Sequence, residues 1–493
     1  MKKILILGTG TAGLISASLI KKLYKDKVEV TVYYDKTKEN IGVGEGTVPT
    51  IHDFLMDMEI SVPDLIKSIG TTIKLGIEFK NWIIDDTYFH GFSEINQLGD
   101  ELPYNGQESS ACYGIANNIE HGSSQFNTSE TTVPNPDFDY NYAIHLDTLK
   151  FAKYLRKIIS NQVNFIEDVL IDSKVEDGFV KELIFENSGS VTADFYIDCS
   201  GFQSLLIKKL SNDWIDVSDI LPIDSAIPQQ VQNNDNEFRS NTLAEATQNG
   251  WIWQIPVGER YGTGYLYSTK FTTDEEAKED YDKWLKKNHN VDLDFKRIIR
   301  FSPGYFKDFC IGNCAAIGLS SGFIEPLEAN SIMITTEQVY SLIYSGVLMN
   351  NLEFDRDMIN KYNRMIYKSV VDFISFHYIT NRTDSEFWKY IKDHKSKFAE
   401  EIEDKCRKDF ISKRYIGETV WSVWSIDSYI QVGHGLKMFD RKKVQEYMDN
   451  KHDSETFIET MKSEFYRQKE IKDRNVKNSI SHKKFLDSIK NSK

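Results

Sequence analysis

Gly8, Gly10 and Gly13 stand as G-x-G-x-x-G near the head of the chain, with Thr11 and Ala12 inside the run. This spacing can seat a pyrophosphate on the backbone: the first glycine allows a tight turn, the second a close ligand approach, the third close helix packing. About twenty residues on, VEVTVYYD ends in Asp35, where an acid that binds a ribose hydroxyl belongs. A second glycine-rich stretch, IGVGEGTVPT from Ile41 to Thr50, cannot be regular helix or strand throughout. It reads as a loop shaped to approach a ligand, with Gly42, Val43, Gly44 and Glu45 at its centre, or more plainly as a surface connection.

The elements around these residues suit that chemistry. ILIL is a short buried strand, GTGTAG a turn, and LISASLIKKLY has apolar residues at helical spacing, so strand, turn and helix come in the order a dinucleotide site needs. Lys2 and Lys3 before an apolar run also resemble a secretory leader, but strand, turn and helix explain more of the stretch. KELIFENSGSVTADFYIDCSGFQSLLI predicts a hairpin and then an apolar strand ending at Asp198, which returns the chain to the ligand side of the sheet. From Cys314, CAAIGLSSGFIEPLEANSIMITTEQVYSLI predicts a strand, a Gly/Ser-rich loop and a long helix. Beyond about residue 335 long helical patterns dominate, and the last stretch, VKNSISHKKFLDSIKNSK, is polar and basic and is read as a fraying tail, with a docked helix as the alternative.

Composition narrows the function classes. The chain has 493 residues, and 59 basic against 74 acidic side chains leave a net charge of −15, which argues against a nucleic-acid partner. No stretch offers about 20 uninterrupted apolar residues, so no membrane span is expected. The five cysteines, Cys112, Cys199, Cys310, Cys314 and Cys406, form no C-x-x-C pair, which suits a reducing, cytoplasmic setting. Cys310 and Cys314 read as core thiols and no metal site is expected.

Taken together the motifs are similar to those of flavin-dependent halogenases of the tryptophan halogenase family. Trp251-Ile-Trp253-Gln-Ile255-Pro256 matches the family's W-x-W-x-I-P, and IGVGEGTVP resembles its G-x-G-E-[AG]-T loop. TTIKLGIEFKNW resembles the segment with the catalytic lysine, and YAIHLDTLKFAKYLR, FYIDCSGFQSLLI, LPIDSAIPQQ, AIGLSSGFIEPLEANSI and FISFHYITNRTDSEFW follow in order.

The resemblance implies FAD, supplied as FADH2 by a separate flavin reductase, and a halide ion. It makes Lys74, not Lys80, the essential lysine and Glu328 the essential glutamate; by residue type alone these would be a solvated charge and an exposed loop acid. It extends cofactor contact to Asp198, Gly318, Leu319 and Ile332, and puts halide on the backbone at Asn330 and Ser331, where Ala329 and Asn330 depart from the usual PLEST-G or PLEATS. Trp251, Trp253, Ile255 and Pro256 would separate flavin from substrate. The implied reaction is FADH2- and O2-dependent halogenation of a small electron-rich aromatic, indole or phenol type, through hypohalous acid handed to Lys74. A homo-oligomer is compatible with the resemblance.

Two other readings differ in class. An aromatic hydroxylase on the same kind of fold usually shows a D-G and a G-D pair, whereas this chain has Asp198-Cys199-Ser200-Gly201 and Gly318-Leu319. A catalytically silent flavoprotein sits poorly with Lys74 and Glu328 both present. The expected architecture is α/β: a discontinuous, doubly wound, Rossmann-like FAD-binding domain (1–95, 140–210 and 295–340), a mixed-sheet substrate region with a mainly helical C-terminal part (96–139, 211–294 and 341–475), and a tail (476–493). Trp421 and Trp424 are read as helix packing rather than pocket lining.

Overall fold

A computed structural model describes residues 1–38, 42, 44–92, 132–133, 141–233, 238–408, 422–440, 442, 459, 463, 470, 474 and 477–492. Val43, Cys112 and Trp421 lie outside the described residues. The chain forms two compact units, each discontinuous: Met1–Thr71, Ile144–Ser218 and Ile299–Tyr367, and Thr72–Ala143, Asp219–Ile298 and Lys368–Lys493.

The first unit is built on a sheet in the order Cys310–Ile311, Cys314–Ala316, Phe195–Asp198, Lys2–Leu7, Val28–Tyr34, Asn164–Glu167. All neighbours run parallel except the first pair. Strands covered on both faces need continuous apolar runs, and Ile4, Leu5, Ile6 and Leu7 are all buried, each contributing about 1.5–3 kcal/mol. The helix Thr11–Tyr24 joins Lys2–Leu7 to its parallel neighbour, and its buried Gly13, Ser16, Ala17 and Ser18 keep that face small. The predicted hairpin is present: Leu170–Glu176, Phe179–Phe185 and Gly189–Val191 pair antiparallel before Phe195–Asp198. This unit has the Rossmann-like α/β class that the motifs imply. Cys199, Cys310 and Cys314 are buried free thiols in it.

The second unit is built on a mixed sheet in which Ser225–Gln232, Arg260–Tyr267, Gly250–Val257, Thr242–Ala246, Gly76–Lys80 and Thr87–Gly91 follow one another. Only Thr242–Ala246 with Gly76–Lys80 is parallel. That pairing draws the strands of 76–91 into this unit, although the sequence reading runs the first domain to residue 95. The helix Asp274–His289, started by a Thr273/Glu276 capping box, covers one sheet face through Ala277, Tyr281, Trp284 and Leu285 against Ile227, Ile252 and Tyr265.

Glu386–Asp393, Lys397–Lys408, Ile426–Gly435 and His482–Asn491 are helices of this unit. Trp424 is packing, as expected, stacked on Phe373 with ring centroids 4.5 Å apart. The final segment is docked rather than frayed. Ile480–Ser481 pairs with Thr132–Val133, and the last helix buries His482, Phe485 and Leu486. Among the described residues, no helix is long and apolar enough to cross a membrane.

Candidate active site

Within the first unit the three nucleotide-type motifs converge. Gly8 has φ +119°, and a Cβ there would lie 2.4 Å from the Cys199 carbonyl oxygen; a Cβ on Gly13 would lie 2.1 Å from that of Gly8. Any side chain at either position would push the helix start off the strand ends. Gly10 is the N-cap of Thr11–Tyr24 with no side-chain cap, so the first amides of a 14-residue helix and its positive dipole end suit a phosphate. Gly318, at φ +64°, would place a Cβ 2.8 Å from that of Ala12, which brings the third motif, with Leu319, to the same helix start. Gln338, fully buried, shapes that turn: its Oε1 accepts from the Gly318 N–H at 3.0 Å, and its Nε2 donates to Ser321 Oγ at 2.8 Å and Asn363 Oδ1 at 3.0 Å.

Asp198 is engaged by its own turn. Its Oδ1 accepts from the N–H and hydroxyl of Ser200 (3.0 and 2.6 Å), and its Oδ2 from the N–H groups of Leu206 and Ile207 (2.7 and 3.1 Å). Both oxygens are engaged by the chain, so Asp198 holds the Cys-Ser-Gly turn in shape. Asp35 is at the end of Val28–Tyr34, half-buried. The Thr37 hydroxyl and amide donate to its Oδ1 and hold its carboxyl below the usual range.

The second glycine-rich loop is fastened at its far end. Glu45 and Gly46 pair with Leu146 and His145, while Thr47 Oγ1 donates to the Ile144 carbonyl at 2.8 Å and accepts the Ile144 N–H at 3.0 Å. Gly42 packs where a Cβ would meet Leu149 at 2.3 Å, and Gly44 takes φ +87°. Burial pushes the Glu45 carboxyl up to about 7.

Glu328 is 1% exposed, so it is no surface acid. Ala329 follows with φ 56° and ψ 41° as N-cap of Asn330–Tyr344, again with no side-chain cap. Asn330 and Ser331 therefore supply the first amides of that helix, and Ile332 is buried in its first turn. Asn330 Nδ2 donates back to the Glu325 carbonyl at 3.4 Å.

In the second unit Lys74 is 0% exposed, which removes the solvated-charge reading, because an ammonium leaves water only at high cost. Its Nζ stands 5.3 Å from the Phe92 ring centroid, within cation–π range. Lys80, by contrast, is an ion-pair residue: its Nζ is 3.1 Å from Glu245 Oε1, which Asn81 also reaches.

Three contacts flank the lysine in sequence. Thr72 Oγ1 donates to the Pro256 carbonyl at 2.7 Å, the Ile73 N–H to His482 Nε2 at 3.0 Å, and the Leu75 N–H to the Ser240 carbonyl at 2.7 Å.

The W-x-W-x-I-P segment is the strand Gly250–Val257, buried throughout. Strand alternation puts Trp251, Trp253 and Ile255 on one face and Ile252, which packs on the covering helix, on the other. Trp253 lies on Gly264, where a Cβ would be 2.1 Å from its ring. Pro256 falls past Gln254, the last residue paired with Thr242–Ala246, where a missing N–H is tolerated.

Sequence reasoning passed over Thr72, Gln338, Ser321 and His482, which place the motif residues rather than form motifs. For His482 a signal was present: His482, Phe485, Leu486 and Ile489 follow i, i+3, i+4, i+7 spacing behind the N-cap Ser481.

The first unit is Rossmann-like, with a glycine cradle at an uncapped helix start, and the second is a mixed-sheet unit holding a buried lysine; the first has the frame that suits a dinucleotide cofactor. The sequence model of the family described as tryptophan halogenase matches residues 3–451. The chain belongs to that family, and it is a flavin-dependent enzyme of the halogenase class. It is 30% identical over 428 residues to a tryptophan 7-halogenase of Lentzea aerocolonigenes, covering 79% of each chain. It is 29% identical over 446 residues to a tryptophan 6-halogenase of Streptomyces albogriseolus, covering 82% of this chain and 81% of that one. Among solved structures, a tryptophan C-6 flavin-dependent halogenase from taromycin biosynthesis superposes with a TM-score of 0.86 over 99% of this chain and 100% of that chain at 24% identity.

Proposed function

We propose that the chain installs a halogen on an electron-rich aromatic carbon of an indole or phenol, with Lys74 delivering the halogen from hypohalous acid. The observation that carries this reading is the complete withdrawal of Lys74 from solvent, two residues after Thr72, which is fastened to the end of the W-x-W-x-I-P strand. Tryptophan is the substrate in the names of the relatives above, and it is the first indole to test.

The first unit fits FAD. Gly8, Gly10, Thr11, Ala12 and Gly13 would hold the pyrophosphate, Asp35 the ribose, and Gly42, Gly44, Glu45, Gly318, Leu319 and Ile332 the remaining wall, with Asp198 shaping a turn. When bound and reduced by a separate flavin reductase, FAD supplies the electrons with which dioxygen is activated and a halide is oxidised to hypohalous acid. The amides of Asn330 and Ser331, at a helix N-terminus, suit the halide.

Lys74 then acts in one of two balanced ways. Its ammonium hydrogen-bonds the hypohalous oxygen, so that the ring takes the halogen and hydroxide is released with a proton as water. Alternatively its amine exchanges N–H for N–X with loss of water, and the ring takes the halogen as the amine regains a proton. In either case the ring carbon must lose its proton, and the resemblance gives that task, or the polarising of the halogenating species, to Glu328. Trp251, Trp253 and Ile255 would keep the ring from the cofactor and so suppress hydroxylation.

The test is mass spectrometry of products from FAD, a flavin reductase, NADH and oxygen, with chloride, bromide and iodide supplied separately to a panel of indoles and phenols. A halogen mass shift lost in Lys74→Ala, with flavin retained, is expected. Oxygen-added products alone would replace this reading with the hydroxylase.

A further inference from the structure

The last helix of the chain is tied to the lysine strand through one side chain. His482 is the first residue of His482–Asn491 and 0% exposed. Its Nε2 is 3.0 Å from the Ile73 nitrogen, and its Nδ1 is 3.0 Å from the Arg239 carbonyl oxygen. A main-chain N–H can only donate, so Nε2 must accept; a carbonyl can only accept, so Nδ1 must carry the proton. One tautomer of the neutral ring satisfies both partners, and an imidazolium would turn an N–H against the Ile73 N–H.

The surroundings enforce neutrality. Burial pushes the His482 ring down to about 4, and Phe238 packs edge-on to it with centroids 6.3 Å apart. The helix is itself anchored, through Ile480–Ser481 paired with Thr132–Val133 and through buried Phe485 and Leu486. Ile73 immediately precedes Lys74, and a side chain that large follows its backbone: a small rotation at the Ile73–Lys74 peptide moves the amine by a larger distance.

We propose that His482 is a positioning residue for Lys74, so that the C-terminal helix, remote in sequence, completes the halogen-delivering site. This rests on the reading of Lys74 given above. The prediction is that oxidant still forms without His482 but is aimed poorly.

The experiment compares full-length His482→Ala, His482→Gln and Lys74→Ala, all loaded with FAD and supplied with the same reductase. Halogenated product per NADH consumed, hypohalous acid escaping to a dimedone trap, FAD affinity and hydrogen exchange at the Ile73 amide are measured. Gln can accept the Ile73 N–H through Oε1, so it is the conservative variant.

In His482→Ala we expect at least a tenfold loss of halogenated product, a rise in trapped oxidant, faster exchange at Ile73 and FAD affinity within twofold of wild type; His482→Gln should recover much of the product. Wild-type product yield in His482→Ala would overturn the proposal. So would equal loss of FAD affinity and product in both His482 variants, which marks a structural role only. Full product in Lys74→Ala would instead overturn the lysine reading beneath it, an outcome readable from that variant alone.

Discussion

The hydroxyl of Thr72 donates to the main-chain carbonyl of Pro256 at 2.7 Å, with both residues buried, and this ties the strand of Lys74 to the end of the twin-tryptophan strand. Two segments some 180 residues apart are thereby set at one spacing. Thr72→Val keeps the shape and removes the donor, leaving a carbonyl deprived of it at a cost of about 1–3 kcal/mol. Halogenation kcat should fall about tenfold, as misplacement of a reacting group does, with FAD affinity unchanged. Steady-state product formation beside a flavin titration checks it, and unaltered kcat would show that the bond is dispensable.

Gly264 is where the Trp253 ring rests. A methyl at Gly264 would lie 2.1 Å from that ring and 2.7 Å from the Ile227 carbonyl oxygen, so the ring must tilt away. Gly264→Ala is expected to raise the share of oxygen-added product or of escaped oxidant severalfold, and to shift the tryptophan emission. A product distribution matching wild type would argue that Trp253 does not separate the two reactants.

The turn at Gly318 is held by a residue outside any motif. Gln338→Leu leaves the Gly318 N–H without its 3.0 Å acceptor and Ser321 without the amide donor, and Gly318→Ala puts a Cβ 2.8 Å from Ala12 with φ still at +64°. Both variants should weaken FAD binding by about tenfold or more, the equivalent of about 1.4 kcal/mol. Isothermal titration with FAD reads this directly; unaltered affinity in both would remove Gly318 from the cofactor wall.

Glu45 makes a pH-dependent contribution. Its carboxyl is pushed up to about 7 by burial, so the native state holds a proton that the unfolded chain has released. That stabilisation is fully present below the usual glutamate range near 4.5 and disappears as pH rises through about 7. Allowing for the partial exposure of the residue, the effect is of order 1–2 kcal/mol. Flavin-free wild type should therefore lose stability relative to Glu45→Gln between about pH 4.5 and pH 7, with little further change above that. Parallel denaturant curves for the two proteins would speak against it.

Much of the first unit was legible because its signals are local. ILIL followed by G-x-G-x-x-G can be read within fifteen residues, since a buried parallel strand needs an apolar run and a phosphate turn needs glycines at set intervals. The candidate residues Lys74 and Glu328 were reached through motif register alone, and their type predicted exposure. Both are withdrawn from solvent, at 0% and 1% exposure, and no local pattern points to that.

The sequence by itself determined the strand–turn–helix of the first motif, the order of the halogenase motifs and the helical character of the C-terminal part, because periodicity and turn chemistry act between near neighbours. Only the tertiary structure decided that Asp198 spends both oxygens on its own turn, that Gln338 sets Gly318, and that His482 and Pro256 hold the residues just before Lys74. The physical reason is the same in each case. A buried polar atom must find a partner, and which partner it finds depends on what the fold brings within 3 Å, across separations of 8, 20, 409 and 184 residues.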